Sequence, residues 1–256
     1  MDKAARCLDI LKMLQENGVV RVDELAEKFG TSEMTIRRDL KFLSQQYNIQ
    51  RTYGGAIMPQ GQPVVRIISF DEERIKNKEA KEKIAKKAAS LIHTRQRIFI
   101  DAGSTTRLIV NYINNDSYNI IVTNHLQTAE AALNIDHLSV IMLGGEIIGI
   151  SKCTTGEITE EQLRKYQLDI AFLGAAAIGS DGFLYDGYSP EARFKKAVFD
   201  VAKETYLLAD STKFNTYDLN CFGSLSQIKA VITDSGITEE GLTLLKKHKV
   251  EVIIAD

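Results

Sequence analysis

Two short stretches hold the residues best suited to chemistry, and both are built for anions. In TSEMTIRRDL, residues 31–40, Arg37 and Arg38 stand side by side, with Lys41 close behind. On a helix of about 100° per residue, Ile36, Leu40 and Leu43 fall on one inward face at i, i+4 and i+7. Arg37, Arg38 and Lys41 then land roughly opposite, on the free face. Such a helix can grip phosphates. It can equally be a solvated helix, so its neighbours have to decide. In DAGSTT, residues 101–106, the apolar run IFI leads into Asp101, Gly103, Ser104, Thr105 and Thr106 ahead of a helical pattern. Gly103 lets a backbone come close. Three hydroxyls and the amides of a helix N-terminus converge on one point, which suits phosphate. The same loop is also a good helix cap.

Further polar loops follow apolar β-rich runs. NIIVTNH ends in Thr123 and Asn124, VIMLGGEI in Gly144 and Gly145, and TYLLADSTKF in Asp210, Ser211, Thr212 and Lys213. In a parallel sheet these loops open at the carboxyl edge, where ligands bind. Several polar loops at one edge, one carrying a lysine, describe a pocket for a small anionic ligand. The three cysteines, Cys7, Cys153 and Cys221, are widely separated, and His93, His125, His137 and His248 form no ligand cluster. That spacing excludes a zinc site or disulfide framework and fits a reducing cytosol. No metal or other cofactor is expected. The chain has 256 residues, 44% hydrophobic and 26% charged, with net charge −2, so any attraction to nucleic acid must be local. No apolar run approaches membrane-spanning length and no secretion signal opens the chain. A cytoplasmic protein with no membrane partner is expected.

The elements that position these residues fall into two unequal parts. Residues 1–58 show short helical patterns, 59–70 contain Pro59 and Pro63 and read as a linker, and 71–256 alternate strand and helix patterns. In the first part, Leu8, Leu11 and Leu14 stripe a helix over 3–17, closed by Gly18. VVRV is a short strand. Asp23 is placed to cap a second helix, ELAEKF, which Gly30 ends, and Ser32 to cap the third. A tight turn between two short helices, the second basic on its free face, is the layout of a helix-turn-helix. IQRTYGGAIM then predicts two short strands joined by Gly54-Gly55, a wing carrying Arg51. This part holds nine Lys/Arg and eight Asp/Glu, but most acids precede the third helix. The larger part opens with a charged helix, 71–92, and continues as a mostly parallel sheet. The expected fold is therefore α/β, with a small N-terminal winged helix-turn-helix and a larger C-terminal α/β domain.

TSEMTIRRDLKFL followed by IQRTYGGA resembles the DNA-binding signature of DeoR-type bacterial transcription regulators. The TIRRDL core, the leucine spacing and the R-x-x-GGA wing occur in the family's order. Tyr53 stands where histidine is common, and QQYNIQR replaces the more usual glycine-bearing turn. The expected DNA contacts are Ser32, Thr35, Arg37, Arg38 and Lys41 on the third helix, with Arg51 and Tyr53 on the wing. The larger part resembles the sensor domain of the same family and, beyond it, ribose-5-phosphate isomerase; together the two resemblances span nearly the whole chain. DAGSTT resembles the isomerase phosphate loop, VTNH its next ligand loop, and LADSTK its lysine-bearing segment. The resemblance implies effector contacts by Asp101, Gly103, Ser104, Thr105, Thr106, Thr123, Asn124, Asp210 and Lys213. SPEARFKKAV resembles a sensor helix, and Glu191 and Lys195 on it have two readings: ligand contacts, or a helix-stabilising i, i+4 pair worth a few tenths of a kcal/mol. In DIAFLGAAAIG, Leu173, Ala176 and Ala177 stand where the isomerase carries acids. Proton transfer between sugar carbons needs a positioned base, which Leu and Ala cannot supply.

The resemblance implies a repressor of a carbohydrate-utilisation operon that binds double-stranded operator DNA, responds to a phosphorylated sugar and forms a homodimer or homotetramer. Two rivals remain: a sugar-phosphate isomerase with an appended DNA-binding module, and a regulator that answers to a partner protein.

Overall fold

The computed structural model describes residues 6–7, 9–10, 13–14, 17–46, 49–58, 76–114, 118–149 and 151–256. The predicted linker, 59–70, and the first residues of the predicted charged helix lie outside this set. The chain divides into two compact units, 1–69 and 70–256.

In the first unit, β1 (Val19–Arg21), α1 (Val22–Phe29), α2 (Glu33–Gln46), β2 (Gln50–Thr52) and β3 (Gly55–Ile57) follow one another. Ahead of them, Cys7, Ile10 and Leu14 are buried; Leu8 and Leu11 of the predicted stripe lie outside the described residues. Gly18 and Gly30 take left-handed backbone, φ 74 and 58, and Gly30 closes α1. Asp23 is not the cap of α1. The helix begins one residue earlier, and the Asp23 carboxylate accepts instead from the Arg21 guanidinium at 3.0 Å. Ser32 does cap α2, its Oγ accepting from the Thr35 amide at 3.2 Å. Ile36, Leu40 and Leu43 are buried in one cluster with Leu14, Val22, Leu25 and Ala56. Below this cluster a second tie holds α2: Arg6 Nε donates to Asp39 Oδ2 at 2.7 Å, and both side chains are largely buried.

The three strands form one antiparallel sheet in the order β1-β3-β2. Thr52 pairs with Gly55, so the wing turns on Tyr53-Gly54 rather than on Gly54-Gly55. Gly55 is needed by the sheet itself, because a Cβ there would collide with the Val20 carbonyl oxygen.

The second unit is built on a seven-stranded parallel sheet. Its strands are β4 (Arg97–Ile100), β5 (Asn119–Thr123), β6 (Leu138–Met142), β9 (Leu168–Gly174), β12 (Ala202–Leu208), β14 (Ala230–Asp234) and β15 (Glu251–Ala255), in the order β15-β14-β12-β9-β4-β5-β6. Both faces are covered, as parallel sheets require. Ile98 and Ile100 of β4 pack with Ile84, Ala85 and Ala88 of α3 (Lys78–Ala89) on one side. Phe99 faces the other way, toward Phe194 of α6 (Ser189–Val198). The remaining helices are α4 (Leu126–Ala132), α5 (Glu157–Leu163) and α7 (Glu239–Lys247).

Two features differ from expectation. A 3₁₀ helix, Thr106–Tyr112, follows DAGSTT in place of an α-helix. Thr106 Oγ1 donates within its own turn, to Asp101 O at 2.8 Å, and accepts the Gly103 amide at 2.9 Å, which tightens the start. The second feature is a set of short antiparallel strands: the ribbon β7 (Glu146–Ile148) with β8 (Cys153–Thr155), and a small sheet of β10 (Ala177–Ile178), β11 (Phe183–Asp186) and β13 (Asn220–Ser224).

Removing the Asp39 carboxylate takes away a largely buried, charge-assisted hydrogen bond, worth about 1.5–3 kcal/mol. Asp39→Ala should therefore lower the unfolding free energy of the first unit by that order, seen as an earlier denaturant midpoint while the second unit's transition stays in place.

Candidate functional site

On α2, Arg38 and Lys41 are exposed, as are Arg51 and Tyr53 of the wing. Tyr53 is 99% exposed. Arg37 donates to Glu33 Oε2 at 2.9 Å, an i, i+4 pair on the same face. Exposed pairs of this kind are worth at most about 1 kcal/mol, so a phosphate can displace Glu33. The Ser32 and Thr35 hydroxyls lie 2.9 Å apart at the helix start. The structure therefore brings Ser32, Thr35, Arg37, Arg38 and Lys41 onto one helix.

In the second unit the chemistry gathers at the carboxyl edge of β4, β5 and β9. At its centre is Lys195. Its Nζ lies 2.7 Å from Asp186 Oδ2, 3.1 Å from Asp101 Oδ2 and 2.9 Å from the Gly174 carbonyl oxygen, and it sits over the Phe222 ring. Asp101 also accepts the Gly174 amide at 3.0 Å. Lys195 and Asp101 are almost fully buried. Burial opposes the lysine's charge, but Asp101, Asp186 and Glu191 outweigh it and hold the ammonium's pKa above its ordinary value. The i, i+4 pair of Glu191 with Lys195 is thus not what α6 uses. Lys195 reaches across to the sheet, and Glu191 faces Cys153, whose Sγ lies 3.6 Å from Oε1. Glu191 is half-buried. Burial, and next the Asp186 charge, push its carboxyl up to about 7 against the pull of Lys195.

Around this centre, the side chains of several expected ligand groups make hydrogen bonds within the fold. Thr123 Oγ1 donates to the Ile100 carbonyl at 2.7 Å and accepts the His125 amide, and Thr106 is committed to its own turn. Asn124 donates from Nδ2 to the Thr154 carbonyl at 3.0 Å, while its buried Oδ1 has no hydrogen-bond partner among the described residues. Thr105 is 7% exposed. Ser104 is half-buried beside it. His125 donates or accepts at Nδ1 with Thr128 Oγ1 at 2.8 Å. Burial, then the positive charges of Arg107 and Lys152, bring its pKa down to about 4. Asp210 follows β12, the strand next to β9 and two away from β4 in the sheet. It accepts from Asn77 Nδ2 at 2.9 Å, beside a cavity of about 380 Å³ lined by Asn77, Lys83, Ser211, Thr212 and Asp234. Lys213, in the same segment, acts electrostatically on Asp218.

The sequence reading missed Asp186, Ser151, Cys153, Arg107 and Lys152. Asp186 and Cys153 sit on strands of four and three residues, too short to show a periodic pattern. Leu173 and Ala177 are buried, and the loop they flank carries no acid; the acids beside Gly174 arrive from β4 and β11. Among the described residues no group of three or more His, Cys, Asp or Glu is placed to hold a metal ion, and no helix is long and apolar enough to cross a membrane.

A helical reader with exposed cations, joined in one chain to an α/β unit with a polar strand-edge site, defines a ligand-responsive DNA-binding regulator. Family models agree for both parts: the DeoR-like helix-turn-helix domain matches residues 6–62 and the DeoR C terminal sensor domain matches 76–235. The chain belongs to the DeoR family of transcriptional regulators. It is 32% identical to a putative aga operon transcriptional repressor of Escherichia coli O157:H7, over 96% of this chain and 91% of that one. It is 31% identical to the glycerol-3-phosphate regulon repressor of Escherichia coli (strain K12), over 98% and 99% of the two chains. A ribose 5-phosphate isomerase A from Methanocaldococcus jannaschii aligns over 54% of this chain and 55% of its own, at 22% identity and a TM-score of 0.41. The relatives are repressors, and the chain is a regulator rather than an enzyme.

A buried acid with a raised pKa destabilises the fold once it ionises. The deficit is absent below the ordinary glutamate value of 4.5, grows as pH rises and is complete above about 7. Glu191→Gln should therefore be more stable than the wild type at about pH 8, by about 1–3 kcal/mol, with the gap narrowing toward pH 4.5. Denaturant titrations at three pH values measure it.

Proposed function

We propose that this protein is a cytoplasmic repressor of a carbohydrate-utilisation operon, released from its operator by a phosphorylated sugar. In this reading residues 1–58 bind DNA, 59–70 link and 71–256 sense. Ser32, Thr35, Arg37, Arg38 and Lys41 enter the major groove on α2, and Arg51 and Tyr53 meet the backbone from the wing. Two-fold operators call for paired readers, so the working form is a homodimer or homotetramer. In the sensor, Gly103, Ser104, Thr105, Asn124 and Glu191 face the ligand. Asp101, Thr106, Thr123 and Lys195 hold the pocket's shape, and Asp210 and Lys213 form its outer part. The observation that carries the sensor half is the buried Asn124 Oδ1, unpartnered among the described residues, at the end of β5, the strand paired with the one that leads into the Ser104–Thr105 loop. A buried acceptor without a donor is costly, and a sugar hydroxyl would satisfy it. The relatives' names, an aga operon repressor and a glycerol-3-phosphate regulon repressor, support a metabolic signal.

If Arg38 reads a guanine, Arg38→Ala should cost about 1–3 kcal/mol and relax preference at one base pair. If it meets only phosphate, binding should weaken evenly and the salt slope should fall by about one unit. Anisotropy titrations with a selected operator duplex separate the two, and unchanged binding by the double variant Arg37→Ala, Arg38→Ala removes α2 from the interface.

For the sensor, a panel of triose, pentose and hexose monophosphates is screened by thermal shift. A member present at about 100 times its Kd adds about 2.7 kcal/mol, a visible rise in Tm. That member should also release operator, and operator should weaken its binding by the same factor. A panel without any shift rejects the phosphorylated effector.

A further inference from the structure

α2 carries its cations on the face turned away from the core, and one apolar residue stands among them. At about 100° per residue, Met34 projects about 180° from Leu43 and about 160° from Ile36, two of the residues buried in the core. On the same count it lies about 20° from Lys41 and about 40° from Arg38. Met34 therefore occupies the middle of the free face, and it is 61% exposed. Arg38 and Lys41 are exposed on either side of it. The acids of α2 leave this stripe clear. Asp39 is buried, and Glu33 stands to one flank, paired with Arg37 at 2.9 Å.

A lone exposed apolar residue is ordinary on a protein surface. Met34 is distinguished by its place. It is the second residue of α2, and the N-terminal residues of a recognition helix are the ones that reach base edges. The Ser32 hydroxyl, accepting the Thr35 amide, holds that first turn in shape. Of the described residues of the first unit, the large apolar ones that stand exposed are Val19, Met34 and Tyr53, and the last two belong to α2 and the wing. A thioether donates no hydrogen bond and accepts only weakly, so it is unsuited to the amino and carbonyl groups of a base edge. The apolar feature of the major groove is the C5 methyl of thymine. An unbranched, polarisable side chain adapts to such a projection without a fixed rotamer.

We propose that Met34 is a specificity-determining residue, which packs against a thymine methyl in the operator's major groove. The proposal rests on the reading that α2 enters that groove. It assigns discrimination at one A·T pair to an apolar contact, flanked by the charged contacts of Arg38 and Lys41.

The test is a cycle of protein and DNA variants on the full chain. The wild type selects a duplex from a randomised pool, and each thymine of that duplex is replaced in turn by deoxyuridine, which lacks only the methyl. Anisotropy titrations compare the wild type, Met34→Ala and Met34→Leu. Met34 is exposed, so both variants should melt with the wild type. At one thymine of the half-site, deoxyuridine should weaken the wild type about fourfold, the loss of one buried methyl. Met34→Ala should bind the unmodified duplex at least as weakly and should no longer sense deoxyuridine at that position. Met34→Leu keeps an apolar end and should still sense it. The methyl contact is overturned if no thymine's response depends on residue 34, or if Met34→Ala loses the same factor on the selected duplex and on an unrelated one. The double variant Arg37→Ala, Arg38→Ala separates the proposal from its premise. If it binds the selected duplex as the wild type does, α2 is not in the groove and both fall; if it loses the duplex while Met34→Ala keeps it, the methyl contact alone falls.

Discussion

The sensor depends on one buried cation. Lys195 is drawn from α6 into the carboxyl edge of the sheet, where Asp101 of the β4 loop, Asp186 of β11 and the carbonyl of Gly174 meet it. Taking three charges out of water is expensive, and the expense is recovered only if every partner is in place. That condition fixes the relative positions of four elements, one of which, the β4 loop, is far from the others in sequence. Remove the ammonium, and two buried carboxylates repel each other beneath the ligand loops. The cluster adds little net stability by this logic; its contribution is to allow one arrangement of the strand ends and few others.

The same constraint separates recognition from chemistry. Asp101 and Asp186 are held by the lysine, and Leu173, Ala176 and Ala177 put no acid on the loop between β9 and β10. Glu191 lies beside Cys153, 3.6 Å from its Sγ, and feels the charges of Asp186 and Lys195. A pocket of acceptors, hydroxyls and framework bonds grips a ligand and leaves it unchanged. For a repressor that is sufficient, because regulation needs only a difference in affinity between two states.

The DNA-binding unit solves a different problem. It is small, so its core is limited, and small domains bury a smaller share of their surface. Its apolar cluster is supplemented by the largely buried Arg6–Asp39 pair, which ties the first helical residues to α2. Asp39 therefore explains a residue of TIRRDL that the free-face reading leaves without a role: within one helix, Ile36, Asp39, Leu40 and Leu43 turn inward, while Arg38 and Lys41 turn out. Gly55 fixes the wing equally firmly, since the middle strand of that sheet has no room for a Cβ at its first position.

Whatever depends on local periodicity and turn chemistry was determined by the sequence alone. The α2 stripe, the left-handed Gly18 and Gly30, the Ser32 cap and the long parallel strands repeat at 3.6 or 2 residues or need one residue type. Tertiary structure decided what depends on pairing at a distance. Thr106 and Thr123 have ligand chemistry, but neighbouring carbonyls take their hydroxyls. Glu191 and Lys195 have helix-pair spacing, but the sheet edge offers the lysine two carboxylates. Asp186 and Cys153 reach the sheet edge on strands of four and three residues, too brief to show a period. A side chain's partner is set by every element that reaches it, and spacing along the chain records only one of them.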